Sequence, residues 1–185
     1  MDTHTEVEYF EETIDIMDGI TIKQNKHHLR IVGPLGKISK NFKKIPIEFK
    51  LEQNKLYIKT INNKKTDYAI LHTIKSIVNN LMKGLITGYT IKMKTVYSHF
   101  PISIKIKENE IHIENFIGER HPRIIKIHGN TKAKVVSGDI ILTGNVLTDV
   151  TQTAADLQLR TKIKNKDPRV FLDGIFIQSQ SNHID

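Results

Sequence analysis

The residues best placed to do chemistry lie between Leu157 and Ile177. Arg160, Lys162, Lys164 and Lys166 occupy every second position, and Arg169 follows just past Asp167-Pro168. In a helix this spacing winds charge around the end of the rod; in an extended segment it lines one edge. Either geometry concentrates positive charge at one point, and Pro168 ends any helix at or before Asp167. Asp173-Gly174 then turns the chain into an apolar strand, Ile175-Phe176-Ile177. A cationic knob held on both sides by apolar residues suits a rigid polyanion such as nucleic acid. The same pattern also suits an ordinary helix C-terminus, where lysines meet the negative end of the dipole.

A second group mixes cations with aromatic rings: Lys92, Lys94, Tyr97, His99 and Phe100. Stacking together with charge is how proteins contact RNA. The expected arrangement turns Tyr97 and Phe100 inward and the lysines outward.

Other chemistries are poorly served. Gly33-Pro34-Leu35-Gly36-Lys37 has the wrong spacing for a phosphate-binding loop, and Pro34 lacks the N–H such a loop uses, so a turn between strands is expected. His112-Ile113-Glu114 imitates a zinc-deaminase motif, but the chain contains no cysteine to complete it. On an alternating strand both side chains face solvent. Without cysteine there is no disulfide and no thiolate zinc site. The histidines show no helical i, i+4 pairing. Metal, cofactor and small-molecule substrate are read as none; no Ser/His/Asp order or paired-carboxylate setting stands out along the chain, and a triad of distant residues stays open. No apolar run approaches the roughly 20 residues of a membrane span, and the acidic start is unlike a signal or transit peptide.

Charge is distributed unevenly along the 185 residues, whose net charge is +8. Residues 1–18 hold seven acidic side chains and no Lys or Arg, whereas residues 19–94 hold 16 Lys or Arg against three acids. A body this basic binds phosphate backbones by releasing counterions. A merely solvated face accounts better than a specific contact for any single lysine among Lys37, Lys40, Lys43, Lys44, Lys64 and Lys65. Val7, Phe10, Ile14 and Ile16 would let the acidic leader lie along a sheet.

The elements that must position these groups come twice. Displaced by 82 residues, Ile20, Ile22 and Lys23 meet Ile102, Ile104 and Lys105; Leu29 and Ile31 meet Ile111 and Ile113; Gly36 meets Gly118; Asp67 meets Asp149. In each copy, short alternating segments precede a helical period. In the first copy the helical period is Ile70, Ile74, Ile77, Val78 and Leu81, with Asp67 as expected N-cap. In the second, a helix is expected from about Asp149 to Ile163. The expected fold is α+β: two similar domains from an internal duplication, each an antiparallel sheet packed on one face by a helix. The expected limits are an acidic leader over 1–18, a first domain over 19–96, a second over 97–180 bearing the basic tip, and a tail over 181–185. Ile91-Lys92-Met93-Lys94 reads as the last strand of the first domain.

Asn165-Lys166-Asp167-x-Arg169-x-Phe171-Leu172-Asp173-Gly174-Ile175-Phe176 resembles the C-terminal signature of the ribosomal protein L-six family, in its eukaryotic branch. Four further stretches match in order: Gly33-Pro34-Leu35-Gly36; Lys92 to Ile102; Asn115-Phe116-x-Gly118-Glu119; and Leu142-x-Gly144-Asn145. Departures are Pro168, where relatives carry an aliphatic residue, a loose match around Ala133 to Val136, and an early end after Gln180. The resemblance implies a non-enzymatic constituent of the cytosolic large ribosomal subunit. It implies binding to large-subunit rRNA near the sarcin–ricin region and the stalk base, among neighbouring large-subunit proteins and away from membranes. Carried over, the rRNA contacts are Lys162, Lys164, Asn165, Lys166, Arg169 and Phe171, followed by Arg160 and the segment Lys92, Lys94, Tyr97 and His99. Two other readings stay open on the residues alone: an enzyme acting on RNA, and a protein-binding adaptor using sheet edges.

Overall fold

Alternating and helical stretches form where the patterns place them, and they gather into two units that divide between Ile86 and Thr87. The structure is a computed structural model describing residues 10–62, 64–167 and 169–184. Pro168 and the leader acids Asp2, Glu6 and Glu8 lie outside the described residues.

The first unit contains strands β1 (Glu11–Asp15), β2 (Thr21–Asn25), β3 (His28–Gly33), β4 (Gly36–Asn41), β5 (Ile47–Glu52) and β6 (Lys55–Thr60), then helix α1 (Lys65–Ile86). They make two antiparallel sheets, β2-β3-β4 and β1-β6-β5, rather than one. Ile22, Leu29, Ile31, Ile47, Leu56 and Ile58 point inward, and Leu71, Ile74, Val78, Leu81, Met82 and Leu85 of α1 seal them. That is the apolar stripe of an amphipathic helix closing the apolar faces of two sheets. Gly33-Pro34-Leu35-Gly36 is a hairpin turn, as expected. A Cβ on Gly33 would stand 2.7 Å from Ile20 Cδ1 and 2.8 Å from Leu85 Cβ. The Leu35 N–H donates to the Leu85 carbonyl at 3.0 Å, pinning the turn to the end of α1.

The second unit contains β7 (Tyr89–Val96), β8 (Ser103–Lys107), β9 (Glu110–Glu114), β10 (Arg123–Lys126), β11 (Lys132–Val136), β12 (Asp139–Gly144), helix α2 (Leu147–Arg160) and β13 (Gly174–Ser181). Its sheets are β8-β9-β10 and β11-β12-β7-β13. Ile91, Met93, Ile111, Ile113, Phe116, Ile140, Leu142 and Ile175 pack beneath Val150, Ala154 and Leu157 of α2.

The duplication is visible in the register. Ile14 of β1 faces Leu56 of β6, and Met93 of β7 faces Ile140 of β12 in the same way. Four expectations are corrected here. Residues 91–94 belong to the first strand of the second unit, not the last of the first, because Ile91 and Met93 pair with β12 and β13. The boundary therefore falls at 86/87, not 96/97. Residues 11–15 of the leader are a strand of the first unit, and β13 runs through Ser181, into the expected tail. Finally, Asp67 does not cap its helix and Asp149 does not begin its own: each is the third helical residue. Their N–H groups already close the first turn on the carbonyls of Lys64 and Val146. Their negative charge suits the helix start without a capping bond.

Candidate nucleic-acid interface

The basic tip is a loop fastened at both ends. Helix α2 stops at Arg160, earlier than expected, because Thr161 leaves the helical path and is buried there. Its hydroxyl donates to the Leu157 carbonyl at 2.9 Å and accepts the Ile175 N–H at 3.2 Å, joining the helix end to β13. Beyond it Ile163 packs on the core while Lys162, Lys164 and Lys166 are exposed. Asn165 sits at φ 59°, the left-handed region that Asn tolerates well, and bends the chain back. The Asp167 carboxylate accepts the Arg169 N–H at 2.9 Å, and its carbonyl accepts the Val170 and Phe171 N–H groups. The Arg169 side chain is 92% exposed, with Nε 4.0 Å from Asp167, so it stands in solvent with only a loose partner. Arg160 is exposed as well, and its carbonyl accepts from Arg123.

The far end is held by Asp173, which sequence reasoning treated as a turn residue. The residue is 3% exposed, and its carboxylate takes the Ser98 and His99 N–H groups at 3.0 and 3.3 Å, the Ser98 hydroxyl at 3.2 Å and His99 Nδ1 at 2.8 Å. Burial pushes its carboxyl up. The His99 ring, the two backbone N–H groups and the Ser98 hydroxyl more than offset this and bring it down to about 2. His99 also stacks on Phe171, ring centroids 4.6 Å apart, and Lys166 Nζ lies 5.5 Å from the Phe171 centroid. The 97–100 and 171–174 segments are thus one clasp. Ser98, His99 and Asp173 have the makings of a hydrolytic triad, but serine and aspartate meet the same imidazole nitrogen. A nucleophile needs the opposite nitrogen to take its proton, so this is a structural arrangement.

Lys92 and Lys94 project from β7 on the side away from Ile91 and Met93, and Lys94 stands opposite Phe176 across the ladder. Tyr97 and Phe100 are 53% and 44% exposed, against the expectation that they turn inward. Phe100 lies against the Gly118 backbone instead. Two grooves flank Lys162 and Lys166. One, of about 610 Å³, is bounded by Arg123 and Ile124; the other, of about 590 Å³, is bounded by Phe171, Leu172 and Phe176. Arg123 itself is occupied by Glu119 and the Phe116 ring, and its guanidinium holds the Glu119 carboxyl below the usual range. His112 does not stand free in solvent as expected: its side chain is only 14% exposed and meets Glu110 at 3.3 Å. Among the described residues no group of three or more metal-ligating side chains converges, and no helix is long and apolar enough to cross a membrane.

Residues 100–174 match the family Ribosomal protein L6. The chain is 36% identical over 169 residues to the large ribosomal subunit protein uL6 of Methanobrevibacter smithii, covering 91% of this chain and 95% of that protein. It is 37% identical over 175 residues to uL6B of Saccharomyces cerevisiae, covering 90% and 92%. The chain belongs to the ribosomal protein L6 family. The uL6 of Staphylothermus marinus is 39% identical over 170 residues, so archaeal and eukaryotic L6 proteins resemble this chain about equally. The L6 match begins at Phe100 and ends at Gly174, enclosing β8 through the loop after α2, so both halves of the clasp lie at its limits. Asp173 and Ser98 were missed because 75 positions separate them. The available signal was Asp173 itself, an acid set in an apolar run between Phe171-Leu172 and Ile175-Phe176-Ile177.

Proposed function

We propose that this L6-family chain is a structural constituent of the cytosolic large ribosomal subunit, held on rRNA by the tip of its second unit. The observation that carries the reading is the loop 162–169, with three exposed lysines and an exposed arginine between two buried anchors, Thr161 and Asp173. Lys162, Lys164, Lys166 and Arg169 neutralise phosphates. Asn165 offers its amide to base edges or ribose. Fixing the loop before binding lowers the conformational cost of holding RNA. Phe171 and His99 act mainly on each other and keep the loop in place, with their outer edges available to a base. Arg160, Lys92 and Lys94 extend the positive surface, and the exposed Tyr97 ring offers a face for stacking. Family resemblance points to the neighbourhood of the sarcin–ricin region and stalk base, among other large-subunit proteins. The role is positioning; no catalytic step is asked of the chain.

The test is Lys164→Glu combined with Arg169→Glu. Both side chains are exposed, so the fold survives, while rRNA affinity falls by an amount on the order of several kcal/mol. In sucrose gradients of a lysate the tagged variant leaves the large-subunit fractions. Unchanged co-sedimentation would overturn the assignment of the tip.

A further inference from the structure

The outer face of the β2-β3-β4 sheet carries charge that its own unit does not answer. Lys23, Arg30 and Lys37 lie on it, interspersed with Asn25, His28 and Ser39. Register places Lys23 directly opposite Arg30, and Lys37 opposite Val32, two residues along β3. Strand spacing of about 4.8 Å and about 6.8 Å between alternate residues put Arg30 about 5 Å from Lys23 and about 8 Å from Lys37, both within about one screening length in physiological salt, with Lys23 and Lys37 about 12 Å apart across it. Like charges directly opposite one another on a sheet repel. No acid occurs from Gly19 to Ile47, and among the described residues none of the three cations makes an ion pair. A groove of about 500 Å³ crosses this face between Lys23, Arg30, Lys37 and His28.

The duplicate sheet has solved the same problem. At the positions equivalent to His28 and Val32, the second unit carries Glu110 and Glu114, and Glu114 pairs with Lys105 at 2.7 Å. The repulsion in the first unit is therefore a property of that copy and not of the fold.

We infer that this face is a second contact for RNA, separate from the tip, and that it takes the sugar–phosphate backbone. It carries no Phe, Tyr or Trp on which a base could stack, and its one ring, His28, lies 3.1 Å from the Ser39 hydroxyl. Its only large apolar residue is Val32, 38% exposed, so it lacks the apolar centre of a protein interface. What remains is a flat field of cations with hydroxyl, amide and imidazole groups between them, which suits phosphates and reads no sequence. The strands leave the backbone rigid, so occupation by RNA relieves a repulsion already built in.

The experiment uses the full chain and purified large-subunit rRNA as probe, with affinity followed from about 50 to about 200 mM salt. Lys23→Gln/Arg30→Gln/Lys37→Gln is expected to flatten the slope of log affinity against log salt by about 2 and to weaken binding at least tenfold, roughly equally for different RNA sequences. His28→Glu/Val32→Glu, which installs the acids of the second unit, is expected to act in the same direction. Melting curves of the free variants should be no lower than wild type, since only exposed groups change. A slope and affinity equal to wild type in both variants overturn the inference. Amine labelling of Lys23 and Lys37 in assembled subunits gives a second readout. Protection that disappears on ribonuclease treatment supports RNA; free labelling, or protection that survives ribonuclease and so reports a protein neighbour, overturns it.

Discussion

Strands β2–β4 and β8–β10 are the same three-stranded sheet built twice, opening at Thr21 and Ser103, and they treat charge in opposite ways. In the second unit, lysines alternate with acids across the strands: Lys107 faces Glu110, and Lys105 reaches Glu114. The nearby lysine and its hydrogen bond hold the Glu114 carboxyl below its usual range. In the first unit the charged residues of the corresponding face, Lys23, Arg30 and Lys37, are all cations. The acids of that unit lie elsewhere: Glu12 of β1 bonds Lys75 at 2.6 Å, and Asp15 lies 3.7 Å from Lys55. The lesson is that one backbone tolerates a neutral or a charged outer face, because the inward alternation of Ile22, Leu29 and Ile31, or of Ile104, Ile111 and Ile113, is what stabilises it. A second difference is β13, which adds a strand beside β7 and has no counterpart in the first unit. With β13 comes the Asp173 clasp.

The largest expected effect separates the units through that clasp. Asp173→Ala leaves the Ser98 and His99 N–H groups without their acceptor in a closed site, and should cost about 3 kcal/mol. Hydrogen exchange should quicken at Ser98 and His99 and along β13 while α1 stays protected. Equal loss in both units would remove the distinction.

Next comes acid sensitivity. The Asp173 carboxyl titrates near 2 when folded and near 3.8 otherwise, so the unfolded chain takes up the proton first as pH falls. This contribution is complete above about pH 4 and disappears as pH drops through about 2, a loss on the order of 2 kcal/mol. Denaturant titrations across that window should show it, and Asp173→Asn should flatten it. A variant as acid-sensitive as wild type would place the titrating group elsewhere.

Thr161→Val tests the other anchor. It keeps the shape but removes bonds to Leu157 and Ile175, for about 1–2 kcal/mol. It should also weaken rRNA binding without altering any cation, because the loop loses its fixed start. Wild-type affinity would mean that the loop needs no anchor.

The smallest effect is the sharpest comparison. Lys23→Glu turns a repelling pair with Arg30 into an attracting one, and should raise the melting temperature slightly. The equivalent Lys105→Glu breaks the bond to Glu114 and should lower it slightly. Shifts of the same sign would show that the two faces are not electrostatic opposites.

Much of this was legible beforehand, for identifiable reasons. The 82-residue repeat, the alternation in β2, β3, β8 and β9, and the apolar stripe of α1 all rest on local periodicity. The turn at Gly33 was legible because Pro34 and two glycines admit little else. The strand at 89–96 was assigned to the wrong unit because alternation says that a strand exists, not which ladder it joins. The concentration of charge at Lys162, Lys164 and Lys166 was legible from spacing, whereas its helical or extended geometry was left open. The pairing of His99 with Phe171 and Asp173 joins residues more than 70 positions apart, and no periodicity reports such a contact.

From its order of residues alone, this protein's duplicated α+β plan, its surplus of positive charge and the location of its basic tip were already determined, since each depends on which side chains alternate or cluster along a short stretch. Tertiary structure alone decided which unit owns β7, that Thr161 and Asp173 clamp the tip, and that Lys23, Arg30 and Lys37 share one unrelieved face. Each of those depends on register between strands, which is set by the packing of the whole core rather than by any segment within it.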